Sequence, residues 1–171
     1  MAPRDGRLPA LTMISLALLM IVAAGCPSEL FRIERSKNAN VVLYEAKPGK
    51  ETSLDADDPV TASWLLLASS GERKKLSFFE KLVAYGYNVK LADSNQSAVL
   101  TLKALRGRTL RVVTNDGCLV ALGSIGGSEA VLKRVFVTTD EHGLTPKVIS
   151  IELFGVDPLS GEPRTEKILA Q

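Results

Sequence analysis

Alternating apolar and polar positions run through most of the chain and predict strands. Phe31 and Ile33 alternate with charged Arg32 and Glu34 across Phe31–Arg35, as in a strand with one face toward a core. Val41–Ala46 is short, β-branched and aromatic. Between Val60 and Ala68 the positions Val60, Ala62, Trp64, Leu66 and Ala68 share one face, and Ala98, Leu100, Leu102 and Ala104 do the same further on. Leu110–Thr114 and Cys118–Leu122 flank Asn115-Asp116-Gly117, where the glycine accepts the positive φ of a tight hairpin turn. Val131–Thr139 and Val148–Phe154 are longer candidates, the second with Ile149, Ile151 and Leu153 on one face. Asp157-Pro158-Leu159-Ser160-Gly161 is a turn leading into a last strand around Thr165–Leu169.

One segment changes period. Ser77 with Glu80 three residues later predicts a capping box, in which both orphan backbone amides find acceptors. Phe79, Leu82 and Val83 then recur at helical spacing with Phe78 alongside, which predicts a helix over about residues 77–85. Gly86 stands where a left-handed C-terminal cap is expected. So short a helix is expected to brace or cover a sheet, and Arg73-Lys74-Lys75 reads as its solvated entrance. Seven to nine strands and one short helix predict a mainly β fold, an antiparallel barrel or sandwich. The pattern does not choose between the two.

The N-terminal segment follows neither period. Arg4 and Arg7, partly offset by Asp5, precede an apolar run from Leu11 to Ala24 broken only by Thr12 and Ser15. Ala23-Ala24-Gly25-Cys26 follows, small residues ahead of a thiol that can accept a diacylglyceryl group. The segment predicts a bacterial lipoprotein signal peptide over residues 1–25, with lipidation at Cys26. Ala23 stands where Leu is commonest, with Val22 one place upstream. A plain secretory signal also fits, as does an uncleaved anchor, although the run falls short of the ~20 residues of a membrane span. Acyl chains of the palmitate type bury several dozen methylenes at about 0.8 kcal/mol each, which makes such an anchor effectively permanent. On this reading residues 26–30 are the lipidated terminus and a short tether. Residues 31–171 are then a single β-rich domain outside the cytoplasm, on the bacterial cell envelope. Pro27, rather than Asp, after the Cys weakly disfavours inner-membrane retention; which membrane holds the protein stays open.

Composition narrows the function classes. Of 171 residues, 146 follow residue 25, enough for one domain with a core and hardly for two. That part holds 19 basic and 18 acidic residues, a net charge of +1, which gives no electrostatic reason to expect nucleic acid. There are two cysteines. If Cys26 is acylated, Cys118 has no partner and stability rests on apolar burial.

Few constellations for chemistry exist. His142, the only histidine, sits in the polar turn Asp140-Glu141-His142-Gly143 and reads as an exposed loop residue. Metal sites want several His or Cys ligands at set spacings. Asp55, Asp57 and Asp58 form an acidic loop without the Gly and distal Glu of a calcium-binding EF-hand. Asp116-Gly117-Cys118-Leu119-Val120 is faintly similar to the Cys segment of peptidoglycan L,D-transpeptidases. In that family a His closely precedes the Gly-Cys pair and an Arg follows; Asp116 and Val120-Ala121 occupy that neighbourhood here. Without an activating base such a thiol stays largely protonated, its ordinary pKa being about 8.5. Gly123–Ser128 is glycine-rich but lacks the Lys-Ser/Thr of a phosphate loop, and reads as a flexible turn. No catalytic residue, metal or cofactor is therefore assigned. The polar block Arg35-Ser36-Lys37-Asn38-Ala39-Asn40 is the best recognition candidate. Arg35, Lys37, Asn38 and Asn40, with Tyr85 and Tyr87 beside the helix end, could hold a carboxylate or sugar through directed donors. The competing reading is that the Asn side chains build the turn.

Phe31–Tyr44, Pro59–Trp64, Leu82–Gly86 and Pro146–Gly155, with the Asp157–Gly161 turn, resemble an uncharacterised bacterial family known as domain of unknown function 4833. Ser36-Lys37-Asn38-Ala39-Asn40 and Glu152-Leu153-Phe154-Gly155 are its more specific segments. The resemblance implies one domain found in exported bacterial proteins and carries over no substrate, cofactor or catalytic residue. The expected function is a lipid-anchored, non-catalytic domain that binds a ligand or an envelope partner. The alternatives are an envelope enzyme on cell-wall or glycan material, using Cys118 or Asp140 and Glu141, and a subunit of a larger envelope assembly.

Overall fold

The architecture hangs on one long strand, β9 (Ser128–Asp140). In the computed structural model, which describes residues 25–50, 53–140, 142 and 146–170, β10 (Lys147–Val156) pairs along β9 from Val131 to Asp140. The opposite edge of β9 is shared. Its first part pairs antiparallel with β8 (Cys118–Ile125), and Arg134–Val137 pair in parallel with β1 (Glu29–Arg35). Two arms therefore leave the same edge. One continues through β2 (Asn38–Ala46) and β3 (Val60–Leu66) to β4 (Glu72–Lys75); the other runs through β7 (Thr109–Asn115) and β6 (Ser97–Leu102) to β5 (Tyr87–Ala92). β11 (Pro163–Leu169) pairs with β10 outside these arms. The single eleven-stranded sheet curls as a half-barrel.

The arms enclose the core. Phe31 and Tyr44 stack with centroids 4.6 Å apart, and Tyr87 meets Tyr44 edge-on at 5.8 Å. Leu100, Val112, Ala121, Leu132 and Val135 fill the space from the other side and are almost wholly inaccessible. Such interdigitated burial, at roughly 25 cal/mol per Å² of apolar surface, is what holds a curled sheet shut. The Tyr44 hydroxyl donates to the Tyr85 carbonyl at 2.8 Å, and burial, then the nearby Tyr85 and Tyr87, pushes its pKa well above the ordinary phenol value. Asp116 and Gly117 both take positive φ in the β7–β8 turn, the primed hairpin that Asn115-Asp116-Gly117 predicts.

The fold is mainly β, as expected, and each predicted strand is present. The count is eleven because β4 and β5 were not among those predicted. β4 is Glu-Arg-Lys-Lys with every residue exposed; a strand buried on neither face has no alternation to show, and its charges are those that guard a sheet edge. β5 carried a signal, since Tyr87, Val89 and Leu91 alternate with exposed Asn88 and Lys90. The helix, α1 (Phe78–Val83), has its capping box at Ser77 and Glu80. Gly86 is needed for space rather than for a left-handed cap: a Cβ there would lie 1.8 Å from the Lys81 carbonyl oxygen.

The largest departure is at the N-terminal tether. Cys26 and Cys118 form a disulfide that pins the chain ahead of β1 to the start of β8, across 92 residues of sequence. A sulfur in a disulfide carries no thioether, so this bond and acylation of Cys26 are alternatives for any one molecule. The unpartnered Cys118 expected from acylation is not found. The signal-peptide expectation for residues 1–24 lies outside the described residues.

Tyr44→Phe leaves the buried Tyr85 carbonyl without its donor and should cost about 1–3 kcal/mol in urea unfolding. Cys118→Ser releases a loop of 92 residues and should cost about 2–5 kcal/mol, matched by reduction of the wild type. Asp157 accepts from the backbone amides of Ser160 and Leu159 and from Arg164, which lowers its pKa to about 2. Its folded pKa lies below the unfolded value, so its stabilisation is complete above about pH 4 and disappears as the pH falls toward 2. Asp157→Asn should flatten that acid limb of the unfolding midpoint.

Candidate functional site

The sheet does not close on itself, and the gap between its ends is where side chains gather. β4 and β5, the last strands of its two arms, are consecutive in sequence and joined through α1. β4 covers only Ser63–Leu66 of β3, so the first half of β3, paired with β2 on its other edge, has no strand partner on this one. Two hydrogen bonds span the gap: Tyr87 Oη to the Val60 carbonyl at 2.6 Å, and the Leu54 amide to the Asn95 carbonyl at 2.7 Å. Beside them lies a groove of about 550 Å³ whose lining includes the cations Arg73, Lys74, Lys75 and Lys81, the hydroxyls of Thr61, Ser63 and Tyr87, and the carboxylates of Glu45 and Asp58.

The charges in this groove divide cleanly. Arg73 is paired with Glu45, which also accepts from Ser28 at 2.9 Å. The Arg73 hydrogen bond, against some burial, holds the Glu45 carboxyl below its usual range. Lys47 meets Asp58 at 2.8 Å. Lys74, Lys75 and Lys81 form no ion pair among the described residues. These three lysines line the groove with Thr61 and Ser63, a set of donors that suits an anion with several oxygens. A second depression, about 420 Å³, lies beside Arg32, Lys133, Arg134 and Phe154. Its guanidinium groups are already engaged, Arg32 with Glu34 at 2.8 Å and Arg134 with Glu34 at 3.3 Å and over the Phe154 ring at 3.9 Å.

Polar contacts fix α1 at the rim of the groove. Burial raises the Glu80 pKa, but the Ser77 amide and hydroxyl, the Trp64 indole and the nearby Lys74 charge outweigh it, and the net shift is downward. Trp64 Nε1 donates to Glu80 at 3.0 Å, and Lys103 Nζ donates to the Leu82 carbonyl at 2.9 Å, a cation at the negative end of the helix. The expected bracing contact is absent: none of the six residues of α1 is buried. Phe78 is 82% and Phe79 70% exposed.

Of the residues expected at a ligand site, Tyr87 lines the groove and Arg35, Lys37, Asn38, Asn40 and Tyr85 do not. Arg35 and Asn38 close the β1–β2 hairpin. Asn38 Oδ1 accepts from the Asn40 amide at 2.9 Å, Asn40 Oδ1 from the Ala68 amide at 3.2 Å, and Ser36 Oγ from the Thr139 amide at 3.1 Å. These side chains build the turn and tie it to its neighbours, and Lys37 is exposed at its tip. Arg35 and Tyr85 do meet, Nη1 donating to the buried phenol oxygen at 3.1 Å. His142 lies 3.9 Å from Asp140 with its side chain 98% exposed; Glu141 falls outside the described residues. Asp55 Oδ1 accepts from the Asp57 and Asp58 amides, a self-capped turn. No His, Cys, Asp and Glu group fit for a metal ion occurs among the described residues, nor a helix long and apolar enough to cross a membrane. What sequence reading missed is the groove, whose signal was the Arg73-Lys74-Lys75 run followed by Lys81.

Among curated proteins and solved structures, no match is found. The family model for a domain of unknown function, DUF4833, matches residues 31–167, from the second residue-pair of β1 to near the end of β11, and so includes the groove, α1 and the Cys118 hairpin. On that match the chain belongs to the DUF4833 family.

Proposed function

We propose that this is an exported domain of the bacterial cell envelope, without chemistry of its own, that binds an anionic partner in the groove between β3, β4 and α1. The observation that carries the binding reading is the set of lysines at positions 74, 75 and 81, which line one groove and form no ion pair among the described residues. Export is supported by the apolar Leu11–Ala24 segment and by the Cys26–Cys118 bond, since disulfides persist mainly in oxidising compartments. The non-catalytic reading is supported by the same bond: a disulfide sulfur is no thiolate nucleophile. Acylation of Cys26, favoured by Ala23-Ala24-Gly25, is a second reading of that sulfur and anchors the domain without changing its groove.

Titration with tripolyphosphate should show saturable binding that weakens roughly tenfold or more in Lys74→Glu/Lys75→Glu and fades as salt screens the charges. Lys37→Glu should bind like the wild type, and absence of any binding overturns the groove. Intact mass of the protein from the envelope fraction should show a start at Gly25 or Cys26. A disulfide-bonded mass and an acylated mass distinguish the two fates of Cys26, and a chain still carrying Met1 with both thiols reduced and unacylated overturns export.

A further inference from the structure

α1 has the composition of a buried helix and the exposure of a surface one. Phe78, Phe79, Leu82 and Val83 make up four of its six residues and are 82%, 70%, 53% and 60% exposed. Loose packing does not explain this. The capping box, the Trp64–Glu80 hydrogen bond and Lys103 on the Leu82 carbonyl hold the backbone of the helix in place. The polar side chain of Glu80 is the one turned inward toward Trp64, and the apolar ones are left outside. A contiguous apolar knob of this kind marks an interaction surface.

Its surroundings identify the partner. Lys74, Lys75 and Lys81 lie in the groove at the foot of the helix, and Lys103 sits at its end. An apolar tip with two aromatic rings, ringed by cations, matches the boundary of an anionic bilayer. There the rings enter the acyl region while ammonium groups meet headgroup phosphates. A second copy of this chain fits less well, because each copy would bring the same lysines to the contact. We infer that α1 is a membrane-inserting tip and that the anion taken by the groove is the headgroup of an acidic phospholipid. This rests on the anion-binding reading of the groove and names its partner.

The test uses the full chain carrying Phe78→Trp, with vesicles of phosphatidylcholine alone or mixed with phosphatidylglycerol. On the mixed vesicles the indole introduced at position 78 should shift to the blue and be quenched by brominated acyl chains. Affinity should fall roughly tenfold on phosphatidylcholine alone or with Lys74→Glu/Lys75→Glu. Trp64 also emits, so the response at position 78 is taken as the difference between Phe78→Trp and the wild type on the same vesicles. Unchanged emission on mixed vesicles overturns the inference; if tripolyphosphate still binds, the groove stands and only its lipid partner falls. Self-association abolished by Phe79→Ser, with no response to vesicles, also overturns it in favour of a second copy.

Discussion

A strand has two edges, and β9 serves three neighbours with them. Because β10 occupies one edge, β8 and β1 must share the other, one antiparallel and one parallel. The two arms that grow from that shared edge curl over a common core yet end in different strands, β4 and β5, which do not pair. The open seam, the groove beside it and the helix that spans it all follow from this arrangement.

Open sheet ends are normally a hazard, since unpaired backbone groups invite another strand. Here one end is four charged residues long, and the other is tied across by the Tyr87 hydroxyl and by the 3₁₀ turn after β5. Lysines that protect the β4 edge are then already in place to meet an anion, and the short helix between the ends is free of any duty to the core. Stability is supplied elsewhere, by the aromatic contacts of Phe31, Tyr44 and Tyr87 and by the Cys26–Cys118 bond. A recognition surface can therefore sit at the seam without weakening the fold.

The β1–β2 turn shows what a polar cluster does for the backbone around it. Amides, a hydroxyl and cations packed into six residues look like a binding site in sequence, but backbone amides in turns also need acceptors. Asn38, Asn40 and Ser36 supply them. The basic run at 73–75, read as a helix entrance, became a strand in which Arg73 pairs with Glu45 while Lys74 and Lys75 form no ion pair among the described residues.

Local alternation determined the mainly β class and the predicted strands, because a strand with one buried face writes its burial into every second residue. Ser77 and Glu80 determined the helix start, and Asn115-Asp116-Gly117 the hairpin, because both are contacts within a few residues. Tertiary structure alone decided the parallel pairing of β1 with β9, the meeting of Cys26 with Cys118, and the outward face of α1. Each depends on residues far apart in the chain, and an apolar helix face looks the same in sequence whether a core covers it or not.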